Sequence, residues 1–307
     1  MPRILLILPF LLTLISACNT DMTDNSVKRI VRLDLATSQE GTQLTATEQQ
    51  AFDAWIEILG KEYSRESYAQ SPAVKSFQPL ITDQLPPLDS IEKVLSESLP
   101  HNITVVGIVS PFKQSVITHP NGFAFIGLNH YLGENNPIYA GVFTDAERSL
   151  KNINRLPIDV TMAVIVDQNP ITLPSNPTLL NHLLCQGAIL QAALNALPTK
   201  TTEYAVLGIS QEEYTWCNNN ESNIWKSIIS QGLLYSSDRL MIDRLLKPNN
   251  STPIISANAP GQAALYIALK IVQSYLDNNP SKSANDLLNE SFYGNNKSLI
   301  DSKYSPS

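Results

Sequence analysis

The chain has 307 residues and a formal net charge of −7, from 21 basic and 28 acidic side chains. It is 43% hydrophobic and 16% charged, which is enough apolar material for a sizeable buried core in one large domain or two. A mildly acidic chain without basic runs argues against nucleic acid and against anionic lipid head groups as partners.

The first 17 residues, MPRILLILPFLLTLISA, are typical of a secretory signal. One positive charge, Arg3, precedes an apolar run that is shorter than the roughly 20 residues a membrane-spanning helix needs. The end of this run, LISAC at residues 14–18, resembles the lipobox of bacterial lipoproteins. The resemblance implies that Cys18 receives a diacylglyceryl group and becomes an acylated N-terminus. The alternative is an ordinary cleaved signal that leaves Cys18 free.

The segment after the leader indicates how the mature chain is attached to the membrane. Asn19, rather than Asp, follows the cysteine, which resembles sorting to the outer membrane. Residues 18–26 are short and polar and predict a tether, and residues 27–307 are expected to form a single globular domain. Removal of Arg3 with the leader leaves 20 basic against 28 acidic side chains, a net charge of −8. Membrane attachment is therefore expected through the lipid and not through the protein surface.

The N-terminal third predicts helices with clear start signals. Thr47 and Gln50 form a capping-box pattern, and Asp89 with Glu92 form a second one. Apolar residues follow each box at helical spacing, with Phe52 and Trp55 in the first helix.

The apolar period then changes to that of strands. The run NITVVGIV at residues 102–109 predicts one strand, and Asn121-Gly122 between two apolar segments predicts a hairpin. A three-stranded antiparallel sheet over residues 103–128 follows, with His119 as a solvated residue at the hairpin tip.

The rest of the chain predicts mainly helices. Asn176 as cap and Pro177 as first residue predict the start of one buried helix, and a Ser210–Glu213 box with Gly232 at the far end bounds another. The fold class predicted is α+β, helix-rich, with a small sheet segregated in sequence. The predicted helices span residues 144–153, 157–168, 177–197, 211–231, 238–246 and 260–278.

The spacing of the histidines and cysteines gives little support for a metal site or for a catalytic nucleophile. The four histidines, His101, His119, His130 and His182, are never closer than 11 residues, so no pair can share a helix face as in an HExxH zinc site. His182 and Cys185 supply at most two ligands, and a cysteine in the middle of an apolar helix is a poor nucleophile. We therefore expect no catalytic residue, no metal and no cofactor.

Two cysteines remain beyond Cys18. Cys185 and Cys217 could pair in an oxidising envelope, or remain two buried thiols. Both lie in helical patterns, which favours buried thiols.

Several clusters resemble, in order and spacing, the gliding motility-associated lipoprotein B (GldB) family of the Bacteroidota. The resemblance covers roughly residues 27–306, including VKRIVRLD near the start and SKYSP at the end. The other matching segments are FIGLNHYLG (125–133) with Tyr139 downstream, LLCQGAILQAALNALP (183–198), LGISQEEYTWCNNNESNIWKSIISQGLLYSSD (207–238) and APGQAALYIALKIVQSYLDNNP (259–280).

That family is similar to zinc peptidases in which HExxH is followed by a helix with a Glu-Gly pair. The resemblance implies a zinc-peptidase-like architecture whose metal site is lost. Gln186-Gly187 stands at the Glu-Gly position, and TMAVIVDQ (161–168) stands where HExxH would be. Since a neutral amide is a poor zinc ligand, this helix is expected to serve packing, with Gly187 allowing a close helix approach.

One surface is predicted as a candidate cleft for a partner or ligand, bordered by Trp216, Glu221 and Trp225 and by His182 and Gln186. The alternative is a half-buried helix in which Glu221 is paired and the tryptophans fill the core.

The resemblance implies a non-catalytic accessory of gliding motility and type IX secretion that works through envelope protein contacts. It further implies attachment to the outer membrane by the lipid, facing the periplasm, or envelope maintenance and secretion in an organism that does not glide. The alternatives are an extracytoplasmic zinc metallopeptidase with an unrecognised site and a ligand-binding lipoprotein.

Overall fold

Residues 28–38 and 43–306 are described by the computed structural model of the chain, and most of their regular structure is helical. The predicted leader, Cys18 and the tether at residues 18–26 lie outside the described residues. Within the described residues, no helix has the length and apolar content that crossing a membrane requires.

The sheet has four strands in the order β1-β2-β4-β3. β2 pairs with β1 and with β4 in parallel, and only β3 and β4 form an antiparallel pair. The strands are β1 (Val31–Arg32), β2 (Thr104–Ile108), β3 (Val116–His119) and β4 (Phe123–Gly127).

The prediction of a three-stranded antiparallel sheet is therefore wrong, although the hairpin at Asn121-Gly122 is confirmed. Gly122 has a positive φ of 80°, and its N–H donates to the carbonyl of His119. β3 lies at the sheet edge, and β4 returns between β3 and β2, where it runs parallel to β2. The continuous burial of β2 and β4 is typical of strands in parallel pairing.

Within the described residues, five α-helices lie between β1 and β2 in the chain, and ten follow β4. The first five are α1 (Leu33–Ser38), α2 (Ala46–Leu59), α3 (Arg65–Ala69), α4 (Pro72–Gln84) and α5 (Asp89–Ser98). The later ones are α6 (Asp145–Ser149), α7 (Leu156–Gln168), α8 (Leu179–Ala196), α9 (Glu203–Leu207), α10 (Gln211–Asn219), α11 (Glu221–Ser230), α12 (Arg239–Leu246), α13 (Ala263–Asn278), α14 (Glu290–Tyr293) and α15 (Lys297–Ser302).

The predicted capping box at Ser210 and Glu213 is confirmed, whereas two others are wrong. α2 is capped by Thr45 with Glu48, because the overlapping Thr45-x-x-Glu48 box offers a charged acceptor in place of Gln50. At α5, the carboxylate of Glu92 accepts from the Ile30 N–H and so is not available to cap its own helix.

Two other helix boundaries differ from the prediction. α8 begins after Thr178, which forms a capping box with Asn181, so Asn176 and Pro177 lie before the helix. The predicted helix over 211–231 divides at Asn220 into α10 and α11, and the Asn220 amide donates to the carbonyl of Trp216. Three consecutive asparagines at residues 218–220 favour such a break, because their side chains compete for backbone hydrogen bonds.

The apolar residues form two clusters that share α7. Leu156, Val160 and Val164 of α7 belong to the cluster built on the sheet and α2 to α5. Ile158, on another face of α7, belongs to the cluster built on α8 to α15, in which α8 packs along α13. A helix with apolar residues on both faces is buried between its neighbours, so α7 joins the two cores.

The first described residues contact α5 and the segment that follows it. The ammonium of Lys28 donates to the carbonyls of Pro100 (2.6 Å), His101 (3.2 Å) and Ile103 (2.7 Å). Arg29 forms an ion pair with Glu92 at 2.6 Å. Both contacts come directly before β1, which pairs in parallel with β2. The amino-terminal end of the described chain is therefore held by side-chain contacts and by strand pairing.

Candidate functional site

The predicted cleft residues of α11 lie along one face of that helix. Glu221 and Trp225 are one turn apart, and Ile229, which is 46% exposed, continues the stripe. The Trp225 ring meets the Tyr304 ring edge to face at 5.2 Å between centroids. Trp216 and Trp225 are both partly buried against the C-terminal core, so the tryptophans act as packing residues at its border.

Glu221 is paired with two tyrosines. Its Oε2 accepts from the Tyr266 hydroxyl at 2.8 Å, and its Oε1 accepts from the Tyr304 hydroxyl at 2.8 Å. Burial, together with the Glu221 charge, raises the pKa of both tyrosines. The carboxylate therefore joins α11, α13 and the C-terminal segment.

A second carboxylate lies on the same side of α13. Glu203 of α9 accepts from Lys270 (2.8 Å), Tyr214 (2.6 Å) and Gln273 (2.8 Å). Burial acts to raise the pKa of Glu203, but these hydrogen bonds outweigh it and lower the pKa. The Tyr214 and Tyr266 rings, 5.6 Å apart, connect this cluster to Glu221. Sequence reasoning missed Glu203 and Lys270, because 67 positions separate them.

The two remaining cleft residues, His182 and Gln186, lie on α8 and are partly buried. Burial lowers the pKa of His182, and Asp243 of α12 acts against this shift. Among the described residues, no hydrogen bond or ring contact joins this pair to Trp216, Glu221 or Trp225. The five residues thus lie in two groups, one on α8 and one on α10 and α11.

Gly187 marks the closest approach of α8 and α13. A Cβ built on it would lie 2.3 Å from the carbonyl oxygen of Ala268 and 2.7 Å from Val272. The expectation that Gly187 allows a close helix approach is confirmed.

The two described cysteines are poor candidates for nucleophiles, and the described side chains form no metal site. Cys185 and Cys217 are both free and buried. Burial raises the pKa of the Cys185 thiol to about 11 and that of Cys217 to about 12, so both are neutral thiols at ordinary pH. No three His, Cys, Asp or Glu side chains within residues 28–38 and 43–306 are placed to hold a metal ion.

His119 differs from the prediction of a solvated turn residue. It is the last residue of β3, only 9% exposed, and its Nε2 lies 3.1 Å from a carboxylate oxygen of Glu57. The helix α2 covers this end of the hairpin, and a turn signal in sequence does not reveal such a cover.

The FIGLNHYLG segment builds a buried polar cluster beside the sheet. The amide of Asn129 exchanges two hydrogen bonds with the backbone of Ser110, at 2.9 and 3.0 Å. The Tyr139 hydroxyl donates to the Asn129 carbonyl at 2.8 Å and accepts from the Leu132 N–H at 3.0 Å. These bonds fix the backbone on both sides of His130.

His130 and Lys151 form a buried pair that sequence reasoning missed. Lys151 is 6% exposed, and its Nζ lies 3.0 Å from His130 Nδ1 and 3.1 Å from Ser115 Oγ. The other ring nitrogen of His130 donates to the Phe112 carbonyl at 3.0 Å, so Nδ1 is the acceptor for Lys151. Burial, and then the Lys151 charge, lower the pKa of His130 to about 3.

Lys151 also lines an open pocket of about 390 Å³. Its wall includes the Arg155–Asp159 ion pair of α7, with a 2.8 Å contact, and the Phe143 ring, whose centroid is 4.4 Å from the lysine Nζ. Burial lowers the pKa of Lys151, and the charges of Asp159 and Glu147 act against this shift. The pocket thus combines one buried cation with apolar walls.

The fold and the site define a helix-rich α+β protein with partly buried carboxylate clusters and one buried lysine. The family model described as gliding motility protein GldB matches residues 33–306, which is nearly the whole chain. The chain belongs to this family. No curated protein and no solved structure is a significant match to it.

Proposed function

We propose that the chain is a lipid-anchored protein of the outer membrane that faces the periplasm. It would serve gliding motility and the associated type IX secretion machinery through contacts with other envelope proteins, without catalysis. The observation that carries this proposal is the match to a gliding motility family over residues 33–306.

The leader supports the anchored position. A single positive charge, an apolar run and small residues precede Cys18, which is the order that lipid attachment at that cysteine requires. The absence of basic runs from the sequence makes electrostatic binding to anionic lipids a poor substitute for the lipid.

The proposed lack of catalysis rests on ligand chemistry. We infer a zinc-peptidase-like architecture that has lost its metal, in which Gln186 replaces a charged ligand and Gly187 remains for packing. A zinc metallopeptidase is the first rival function. Elemental analysis of protein purified without chelator separates the two, because one bound zinc per chain that is lost on His182→Ala, together with peptide cleavage, contradicts the proposal.

The test of the anchor is Cys18→Ala in the source cells. Without an acyl acceptor, the protein should lose its acyl label and leave the membrane fraction, and we expect cell spreading and secretion to fail both in this variant and in a deletion strain. The measurements are fractionation, acyl labelling and spreading on agar.

Cys185→Ala is the matched control, since it also removes one cysteine but leaves the leader intact. It should keep membrane association and spreading. Full membrane association and acyl label in Cys18→Ala would refute the anchor. Normal spreading and secretion of the deletion strain would refute the role in motility.

A further inference from the structure

The pocket beside Lys151 is not used by the proposed function, and its charges are unusual for a structural cluster. Three basic and two acidic side chains line it, giving one net positive charge: Lys113, Lys151 and Arg155 against Glu147 and Asp159. Arg155 and Asp159 neutralise each other at 2.8 Å. The remaining buried charge is the ammonium of Lys151.

The direct partners of that ammonium are all neutral. Nζ donates to the Ser115 hydroxyl and to His130 Nδ1, and it lies over the Phe143 ring. Within the described part of the chain, no carboxylate forms an ion pair with it. Two of its three N–H groups thus have acceptors, and a buried cation without an opposite charge is costly to keep.

Asp159, a carboxylate of the same pocket, is connected to the lysine through two hydroxyl groups. Ser115 hydrogen bonds to Tyr131, and the Tyr131 hydroxyl donates to Asp159 at 2.9 Å. Asp159 is already shared with Arg155. This relay holds Ser115 in place, and the charges of Asp159 and Glu147 act on the lysine without forming an ion pair with it.

Apolar side chains line the pocket beside the charged and polar ones. Val116, Phe143, Leu150 and Met162 line the pocket, and its volume of about 390 Å³ lies within the range of small-ligand pockets, roughly 300–1,000 Å³. One net positive charge matches a singly charged anion. A doubly charged phosphate would leave an excess of negative charge beside Glu147 and Asp159.

We propose that this pocket binds a monocarboxylate with a small apolar body, and that the carboxylate accepts a hydrogen bond from the Lys151 ammonium. The acid is either a free small organic acid or the C-terminal carboxylate of a polypeptide. The inference is independent of the role in motility.

The test uses the full-length chain, purified in detergent from its own envelope. The probes are butyrate and its neutral counterpart butyramide, and an N-acetylated Ala-Val dipeptide as the free acid and as the amide. We expect saturable binding of both acids by calorimetry and no binding of either amide. Tighter binding of the dipeptide acid identifies a polypeptide C-terminus, whereas equal binding identifies a small acid.

Lys151→Met removes the charge and keeps an apolar chain of similar length, and should weaken binding by roughly tenfold or more. Lys113→Met, at an exposed lysine of the same pocket, is the matched control and should change binding by less than about threefold. In the wild type, the NMR signals of the Lys151 side chain should shift with butyrate and not with butyramide, a readout that needs no variant to fold.

Three binding results would overturn the proposal. They are the absence of saturable binding by both acids, unchanged binding to a folded Lys151→Met protein, and tighter binding of inorganic phosphate than of butyrate. A shift of the Lys151 signals that is the same with the amides would also overturn it.

Discussion

His130 is a neutral histidine whose tautomer is set by its neighbours. The Phe112 carbonyl can only accept, so it takes the Nε2 proton, and Nδ1 is left to accept from Lys151. Protonation of Nδ1 would place a second positive charge beside the lysine in a buried site. This explains why burial and Lys151 together hold the pKa at about 3.

The pH dependence of stability follows from this shift. The folded-state pKa of about 3 lies below the usual value of 6.5, so the unfolded chain binds a proton between these pH values and the folded chain does not. The contribution of His130 is therefore fully present above pH 6.5 and is lost as pH falls towards 3. Between pH 6.5 and 5 we expect a loss of about 1.5 kcal/mol of unfolding free energy, measured by urea titration.

Two variants decide whether His130 is the source. His130→Asn should flatten the pH dependence over this interval, whereas His101→Asn, at an exposed histidine, should leave it unchanged. An equally steep dependence in a folded His130→Asn protein would contradict the assignment.

The residue-level predictions that succeeded rest on local signals, although two other local signals, the capping boxes at Thr47–Gln50 and Asp89–Glu92, were wrong. Ser210 with Glu213 and Asn121-Gly122 each act over a few positions, and both are confirmed. Lys151 and His130 are 21 positions apart and come from different loops, so only the folded chain brings them together. A single lysine in sequence is ordinarily a solvated residue, and nothing near it indicates burial.

At the scale of elements, the α8–α13 contact depends on the absence of one side chain. Gly187→Ala places a methyl group 2.3 Å from a backbone oxygen, which cannot rotate away, so the helices must move apart. We expect a loss of about 3 kcal/mol in unfolding free energy, measured by chemical denaturation.

Gln186→Ala is the control, because Gln186 is the neighbouring residue of α8 and is partly exposed. It should cost less than about 1 kcal/mol. Equal stability of Gly187→Ala and the wild type would show that the two helices separate freely.

Strand direction was the main element-level feature that sequence did not predict. The hairpin depends on a turn of three residues. The parallel pairing of β2 with β4 depends instead on the edge of β4 that β3 leaves unpaired, and β2 occupies that edge. β1 has only two residues, and each pairs with a residue of β2 that lies 75 positions further along the chain. Such contacts carry no local signal.

At the scale of the whole molecule, two apolar cores share α7. Because α7 contributes side chains to both, loss of one core exposes the apolar face that α7 presents to it. We therefore expect the two cores to unfold together in a single transition.

The three tryptophans allow this to be measured. Trp55 lies in the core beside the sheet, whereas Trp216 and Trp225 border the other core. Urea transitions followed by fluorescence in Trp55→Phe and in a Trp216→Phe, Trp225→Phe double variant should each coincide with the circular dichroism transition of the same protein. Two separated transitions in either variant would contradict the shared-core interpretation.

The contacts of Lys28, Arg29 and β1 at the amino-terminal end affect how the molecule resists a pulling force. Tension applied at Lys28 along β1 loads the β1–β2 pair in shear, so its hydrogen bonds must break together, along with the three carbonyl contacts of the lysine and the Arg29–Glu92 ion pair. Tension applied at the other end first meets the contacts of Tyr304 with Glu221 and Trp225, and then the hydrogen bonds of Ser302 and Asp301 at the end of α13, which can break one after another. Because the contacts at the amino-terminal end must break together, we expect a protein pulled by its N-terminus to resist unravelling better than one pulled by its C-terminus.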